Sequence, residues 1–282
     1  MRKVFYLLLP VLLVIGCSRE PKTFDQLVKA GEHAFVQGKY PKARTYLIKA
    51  VDMKPSDRNA LYYLGMSYKQ EYIMDSALYY LKRADLLHPK DREINLAIYP
   101  VAMELEDWEN ALKALSVITS TGDPIQKYYS ELIKLNLKVK NPVVAYIYAK
   151  KYLALDTTDV NRYLVLADLA AQIDSVNQAI DLMQECIEKF GRHPEFLVNQ
   201  GIYYASRRDY SKAEKLLREA IPLDTANAPS TRLNLANVLS KEKSRQKKLE
   251  AYNIYKDLQD EKLPAVFKLD STVAALKAEL KL

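Results

Sequence analysis

Alanines stand at Ala43, Ala77, Ala111, Ala145, Ala179 and Ala213, each 34 residues after the last, with no insertion or deletion across six units. A fixed period of this length marks one supersecondary unit copied along the chain, and such a unit cannot bury its apolar face alone. Stacking on its neighbours completes the core, so the spacing dictates an elongated array. The chain is 49% apolar, has only seven glycines and shows few clustered breakers, which favours helices over strands. Each unit therefore reads as a helical hairpin. The turns carry their own chemistry: Gly38 before Tyr40-Pro41, Asp107 before Trp108, Asn141-Pro142, Asp174-Ser175 and Asp209-Tyr210. Pro41 and Pro142 fall at the start of second helices, where a missing N–H costs little.

The pattern resembles the tetratricopeptide repeat, whose consensus sets Leu-Gly, an aromatic, Ala, Leu or an aromatic, Ala and Pro at fixed offsets. The second unit has Leu61, Leu64-Gly65, Tyr68, Ala77, Leu81, Ala84 and Pro89. The first has Leu27, Ala30-Gly31, Ala34, Ala43, Leu47, Ala50 and Pro55, and the sixth Leu197, Gly201, Tyr204, Ala213, Leu217 and Ala220, with Thr225 in place of the proline. The resemblance implies an all-α α-solenoid of about six to seven 34-residue hairpins with a C-terminal capping helix over its last apolar face.

The middle units depart from the pattern. Tyr99 and Ile133 replace the small residue that allows close helix contact, and Ile118 and Tyr152 fill the next small position, so these helices are expected to sit further apart. Pro100 falls inside the third unit's first helix, where a regular interior would lose about 3 kcal/mol, predicting a kink or an early helix start. In a seventh unit, 233–239 and 249–255 read as two helices joined by a turn about three residues longer than the rest. Beyond Pro264, residues 272–280 read as the capping helix.

Ahead of the repeats, Arg2 and Lys3 precede thirteen uncharged residues from Val4 to Gly16, the pattern of a secretory signal. A spanning helix needs about 20 apolar residues, and Ser18-Arg19-Glu20-Pro21-Lys22 ends the run. Val14-Ile15-Gly16-Cys17 resembles the lipobox of bacterial lipoproteins. That resemblance implies cleavage between Gly16 and Cys17, a diacylglyceryl thioether on Cys17 and acylation, as with palmitate, of the new amine. Two or three chains make a durable anchor where one binds only reversibly. Ser18 stands where an aspartate would mark inner-membrane retention, so the family analogy points to the outer membrane and its periplasmic face. The expected organisation is 1–16 signal peptide, 17–23 lipidated tether, 24–261 solenoid and 262–282 capping helix or tail.

The formal charge of +7 falls to +5 once Arg2 and Lys3 are removed, and basic and acidic residues are interspersed, which argues for a solvated helical surface and against nucleic-acid binding. The exception is Lys241 to Lys248, with five basic residues and one acid, read as a polar hairpin turn or a contact for anionic lipid. His33, His88 and His193 occupy different repeat positions without i, i+4 ligand partners, so no metal site is expected. Cys186 falls in the column of Ala50, Ala84 and Ala220 and reads as a small buried residue, unpaired with Cys17. Trp108 sits in a column that packs the start of second helices. No nucleophile elbow, phosphate-cradling loop or paired Cys-x-x-Cys motif is present, so neither catalysis nor a cofactor is expected.

Function must then come from surfaces. The resemblance implies that first helices line a concave groove for an extended peptide or partner helix, with Tyr62, Met66, Lys69, Leu96, Lys127, Lys134, Lys138, Asp168 and Val198 facing it. Lys134 and Lys138 share one helix face and suit an acidic contact. At the positions of the carboxylate clamp of chaperone-binding members this chain has Val28 and Glu32, so that activity does not carry over. The expected role is a lipid-anchored scaffold for protein partners at the bacterial cell envelope. In size and build it resembles pilotin-type lipoproteins that assist secretin assembly, and also those of β-barrel assembly and peptidoglycan-hydrolase adaptation. A glycan- or peptidoglycan-binding module using tyrosines and lysines is the rival reading.

Overall fold

The structure, a computed structural model, describes residues 20–122, 124–224, 228–260 and 269–282. The signal segment, Cys17 and the 261–268 stretch lie outside these residues. The chain divides into two compact units, one up to Thr121 and one from Gly122 onward.

The first unit holds three hairpins: α1 (Phe24–Val36) with α2 (Tyr40–Met53), α3 (Arg58–Gln70) with α4 (Met74–Leu87), and α5 (Arg92–Glu104) with α6 (Trp108–Ser120). Side-chain caps start the helices where the sequence supplies acceptors: Thr23 closes a capping box with Gln26, Asp57 accepts from the Ala60 N–H at 2.8 Å, and Asp91 accepts from the Glu93 and Ile94 N–H groups. The second unit opens on a 3-10 segment, Ile125–Tyr128. Then come α7 (Tyr129–Lys138) with α8 (Pro142–Leu155), α9 (Val160–Gln172) with α10 (Val176–Phe190), α11 (Pro194–Ser206) with α12 (Tyr210–Ala220), α13 (Ala228–Lys241) with α14 (Arg245–Asp260), and α15 (Leu269–Leu280).

Six hairpin turns share one device. Gly38, Tyr72, Glu106, Lys140, Asp174 and Arg208, again 34 apart, all have φ between 54° and 72°. The next residue's N–H bonds back to the carbonyl five positions earlier, as in Lys39 to Ala34 at 2.9 Å and Asn141 to Asn136 at 2.7 Å. This left-handed closure satisfies carbonyls that the helix end leaves open. Only the first turn uses glycine, so the other five accept the steric cost of a Cβ at positive φ to keep the tight three-residue turn.

Within hairpins the core rests on a small-against-large pairing. A Cβ on Gly31 would come within 2.5 Å of Leu47, one on Gly65 within 2.7 Å of Leu81, and one on Gly201 within 3.1 Å of Leu217. In the fourth hairpin the same two positions hold Ile133 and Ala149, and in the seventh Leu235 and Ala251, all buried. Large and small have changed sides, and the volume of the pair is kept. The exchange removes the reason for expecting wider helix separation in the fourth hairpin. Tyr99 opposite the fully buried Leu115 has no such compensation and stays partly exposed.

Three expectations are corrected. The seventh turn is no longer than the others: it is Glu242–Ser244, and α13 starts 34 residues after α11. The apparent extra length comes from reading the second helix at 249–255, whereas α14 starts at Arg245, with Lys247 in the alanine column and Ala251 in the leucine column. Lys247 fits there because its ammonium reaches out to Glu214 at 2.8 Å and Glu242 at 3.1 Å. The third hairpin shows no early start either. α5 begins at Arg92, 34 after Arg58, and runs unbroken through Pro100. Pro100 and Leu96 are both exposed, so the carbonyl that loses its donor lies on the wet side of the helix. Finally, Lys127 lies in the 3-10 segment that follows Pro124, outside α7.

Cys186 is buried as a free thiol, and burial pushes its pKa up to about 11, in keeping with a packing role. The basic 241–248 stretch is largely tied inward: besides Lys247, Lys248 pairs with Glu279 and Arg245 donates to the Leu280 carbonyl at 3.1 Å, fastening α15 to α14. Leu269, Leu276 and Leu280 of α15 are buried.

Candidate partner-binding faces

In the first unit α1 touches α3 directly and α3 touches α5, while no comparable contact joins successive second helices among the described residues. First helices therefore crowd on the inner side of the stack. Of the sequence-predicted residues, Met66 and Lys69 are half-buried and Leu96 is 41% exposed. Tyr62 is 9% exposed and is held by its neighbours: the Arg58 guanidinium lies 5.0 Å from its ring centroid, and the Glu93 carboxylate lies near its hydroxyl. Burial first, and Glu93 second, push the Tyr62 hydroxyl up to about 12. Burial first, and the nearby Glu32 carboxylate second, likewise raise the Tyr63 hydroxyl. These tyrosines are joints between hairpins more than open contacts for a ligand.

Arg58 anchors this joint. Its guanidinium makes a two-point bond to Asp91 at 2.9 and 3.1 Å and a third to Glu93 at 2.6 Å. The Arg58 hydrogen bonds hold the Asp91 carboxyl below the usual carboxylate range, with its capped backbone N–H groups adding to the effect. A depressed folded pKa contributes stability that is present above the unfolded value near ~3.9 and is lost as pH falls through the folded value. Arg58→Met should therefore lower the urea midpoint more at pH ~7 than at pH ~3, which lies below the unfolded value, so that wild type has begun to lose this contribution. Equal losses at both would sink the assignment.

In the second unit Lys134 and Lys138 are exposed on α7, and Lys127 sits before it with its ammonium 5.6 Å from the Tyr128 ring. Asp168 faces outward on α9 but accepts the Tyr203 hydroxyl at 2.6 Å, tying α9 to α11. The raised Tyr203 pKa has burial as its main cause and this carboxylate as the next.

A concavity among the described residues of this unit lies between α11 and α13, which touch directly. Two adjoining pockets of about 280 and 290 Å³ share Asn234. Val198 and Asn199 line one; Ile202, Ala205, Asn237 and Val238 line the other, with His193 at the α11 start and Lys241 at the α13 end. Asn237 spends its amide oxygen on the Tyr255 hydroxyl at 2.7 Å, leaving its NH2 for a ligand. Asn234 makes no hydrogen bond among the described residues. Apolar side chains beside amides can hold an extended peptide, the first taking its side chains and the second its backbone N–H and C=O groups. Of these residues sequence reasoning placed only Val198 in a binding groove. The spacing of Asn234 and Asn237, three apart on one helix, was the available signal.

Among the described residues no cluster of three or more His, Cys, Asp or Glu side chains is arranged to hold a metal, and no helix is long and apolar enough to cross a membrane.

Fold and faces define a helical-repeat protein that works through its surface. The family described as Tetratricopeptide repeat matches residues 28–91 and 164–229, so tetratricopeptide repeats are present in these two stretches. No curated protein matches the chain. Among solved structures, Naa15/Naa10 bound to HypK-THB aligns with a TM-score of 0.62 at 15% identity, covering 86% of this chain and 37% of that one. A tetratricopeptide repeat protein from Parabacteroides merdae aligns at 0.46 with 14% identity over 90% and 98% of the two chains. YrrB, described as a TPR protein with an unusual peptide-binding site, aligns at 0.43 with 17% identity over 64% and 93%. The first of these shows the shared fold.

Proposed function

We propose that this chain is a lipid-anchored scaffold at the bacterial cell envelope, facing the periplasm from the outer membrane, which holds protein partners and assists assembly of an envelope complex. The α11/α13 groove carries the binding part of this reading, because its apolar floor and available Asn234 amide suit an extended segment of a partner. The family match, to a repeat and not to a catalytic family, agrees with a binding role. The anchor rests on Val14-Ile15-Gly16-Cys17. Confinement to a surface raises local concentration, so weak contacts suffice. Lys134 and Lys138 on α7 are proposed as a second, charge-led contact for an acidic partner segment; Tyr62, Met66, Lys69 and Leu96 contribute side contacts in the first unit.

The test is photocrosslinking in cells from position 202, compared with position 79 on the exposed side of α4. Defined proteins should be captured from 202 and not from 79, and Ile202→Glu should reduce capture from position 205 by about tenfold or more without changing the melting curve. Purified cell-wall material bound in place of proteins would favour the glycan-binding rival. For the anchor, Cys17→Ser should release the chain from the membrane fraction and abolish its lipid-bearing mass; retention with unchanged mass sinks the lipobox reading.

A further inference from the structure

Later hairpins use two second-helix columns to reach backward. Arg83 donates to the Pro55 carbonyl at 3.0 Å, Gln178 accepts from Tyr146 of the preceding hairpin, and Glu219 pairs with Arg192 in the loop before α11. At the equivalent places the first hairpin has Lys49 for Arg83 and Glu219, Lys42 for Gln178, and Tyr46 between them. No described hairpin precedes α1, so these side chains line the open end of the stack. Lys42 and Lys49 are exposed, as are Lys22 and Lys39 beside them. Lys39 donates to Gln37 at 2.9 Å, and the Lys42 ammonium sits 5.8 Å from the Tyr46 ring, so both charges stay at the surface.

The polypeptide leaves from this same end. Glu20 and Pro21 lie in depressions lined by His33, Lys39, Lys42, Tyr46 and Lys49, and Glu20 is the one acidic residue lining them. Cys17 is three residues away, a reach of about 10 Å at full extension. A lipid on Cys17 would therefore hold this lysine-bearing end close to the headgroups.

We propose that the open end of α1 and α2 docks on an anionic phospholipid surface through Lys22, Lys39, Lys42 and Lys49, standing the first hairpin end-on to the membrane. This inference rests on the lipid-anchor reading for its biological setting, but the patch is testable without the lipid. Charge complementarity supports the choice of occupant: polybasic segments near an anchor bind anionic headgroups, lose hold with salt, and act as the second attachment that a lipid chain often needs.

The experiment uses the chain from residue 17 with Cys17→Ser, which keeps every described helix. It should co-sediment with phosphatidylcholine vesicles containing about 30 mol% phosphatidylglycerol at low salt, and about 0.5 M salt should release it. Partitioning should drop about tenfold or more in the triple variant Lys39→Glu, Lys42→Glu, Lys49→Glu, with an unchanged melting curve, and pure phosphatidylcholine should bind neither. A triple reversal at Lys140→Glu, Lys150→Glu, Lys151→Glu, in the turn before α8 and on α8, controls for net charge and should leave binding within about twofold. No partitioning onto the anionic vesicles, equal binding to neutral ones, or equal loss in both triple variants overturns the inference while leaving the anchor untouched. A missing lipid on Cys17, read by mass on the native chain, overturns the anchor and not the patch.

Discussion

Gly65→Ile should destabilise the protein by about 3 kcal/mol, and adding Leu81→Ala should recover most of that loss even though Leu81→Ala alone costs about 2–5 kcal/mol. The first effect is steric. The missing Cβ at Gly65 would stand 2.7 Å from Leu81 Cγ and 3.2 Å from the Ala77 carbonyl oxygen, and neither helix has room to retreat. Removing a mid-helix glycine gains at most about 1 kcal/mol of helix propensity, which does not offset overpacking on this scale. The second effect is geometric: Ile133 with Ala149, and Leu235 with Ala251, occupy these same two positions natively and are buried. Urea midpoints for the two single variants and the double close the cycle. Additive losses would show that the exchange depends on its surroundings and not on the pair.

A second large effect is expected at Asp85, a carboxylate only 5% exposed between α4, α5 and α6. Lys113 donates to one of its oxygens at 2.7 Å and Asn95 to the other at 2.8 Å. Lys113→Met should cost about 2 kcal/mol, below the ~3–5 kcal/mol of a fully enclosed pair, because the lysine side chain is itself 62% exposed. The asymmetry is the informative part. Asp85→Leu with Lys113→Met should be better tolerated than Lys113→Met alone, since the double variant leaves no charge stranded away from water. Chemical denaturation of the variants tests this, and a Lys113→Met protein within about 0.5 kcal/mol of wild type would mean that water already reaches the carboxylate.

Much of the repeat was legible residue by residue. Ala43, Ala77 and Ala213 are fully buried as their column predicts, Cys186 packs as a small residue, and the tyrosines Tyr68 and Tyr80 stack with each other 5.5 Å apart. Two features escaped because they are relations between residues far apart in sequence. The seventh turn was read as too long, since Lys247 breaks the alanine column and hides the start of α14 at Arg245 until Leu235 and Ala251 are seen to have exchanged sizes. The left-handed turn column escaped because Tyr72, Glu106, Lys140 and Arg208 carry no local signal for positive φ; the tight closure between two packed helices imposes it.

The groove shows the same limit. Tyr62 and Asp168 were placed toward the inner side by their columns, yet one is buried against Arg58 and Glu93 and the other is bonded to Tyr203. Whether an inward side chain is available to a partner depends on what the next hairpin sets opposite it, and that residue lies more than 30 positions away.

By itself, then, the sequence determined the hairpin, its period and its caps, because helix formation, turn closure and the burial of one apolar face are set by residues within a single unit. Only the tertiary structure decided which of two facing positions is large, which polar side chains remain open between α11 and α13, and which lysines are left at the uncovered end of α2. Those outcomes depend on the packing of one hairpin against the next, where steric fit and the pairing of charges over several ångströms set the result.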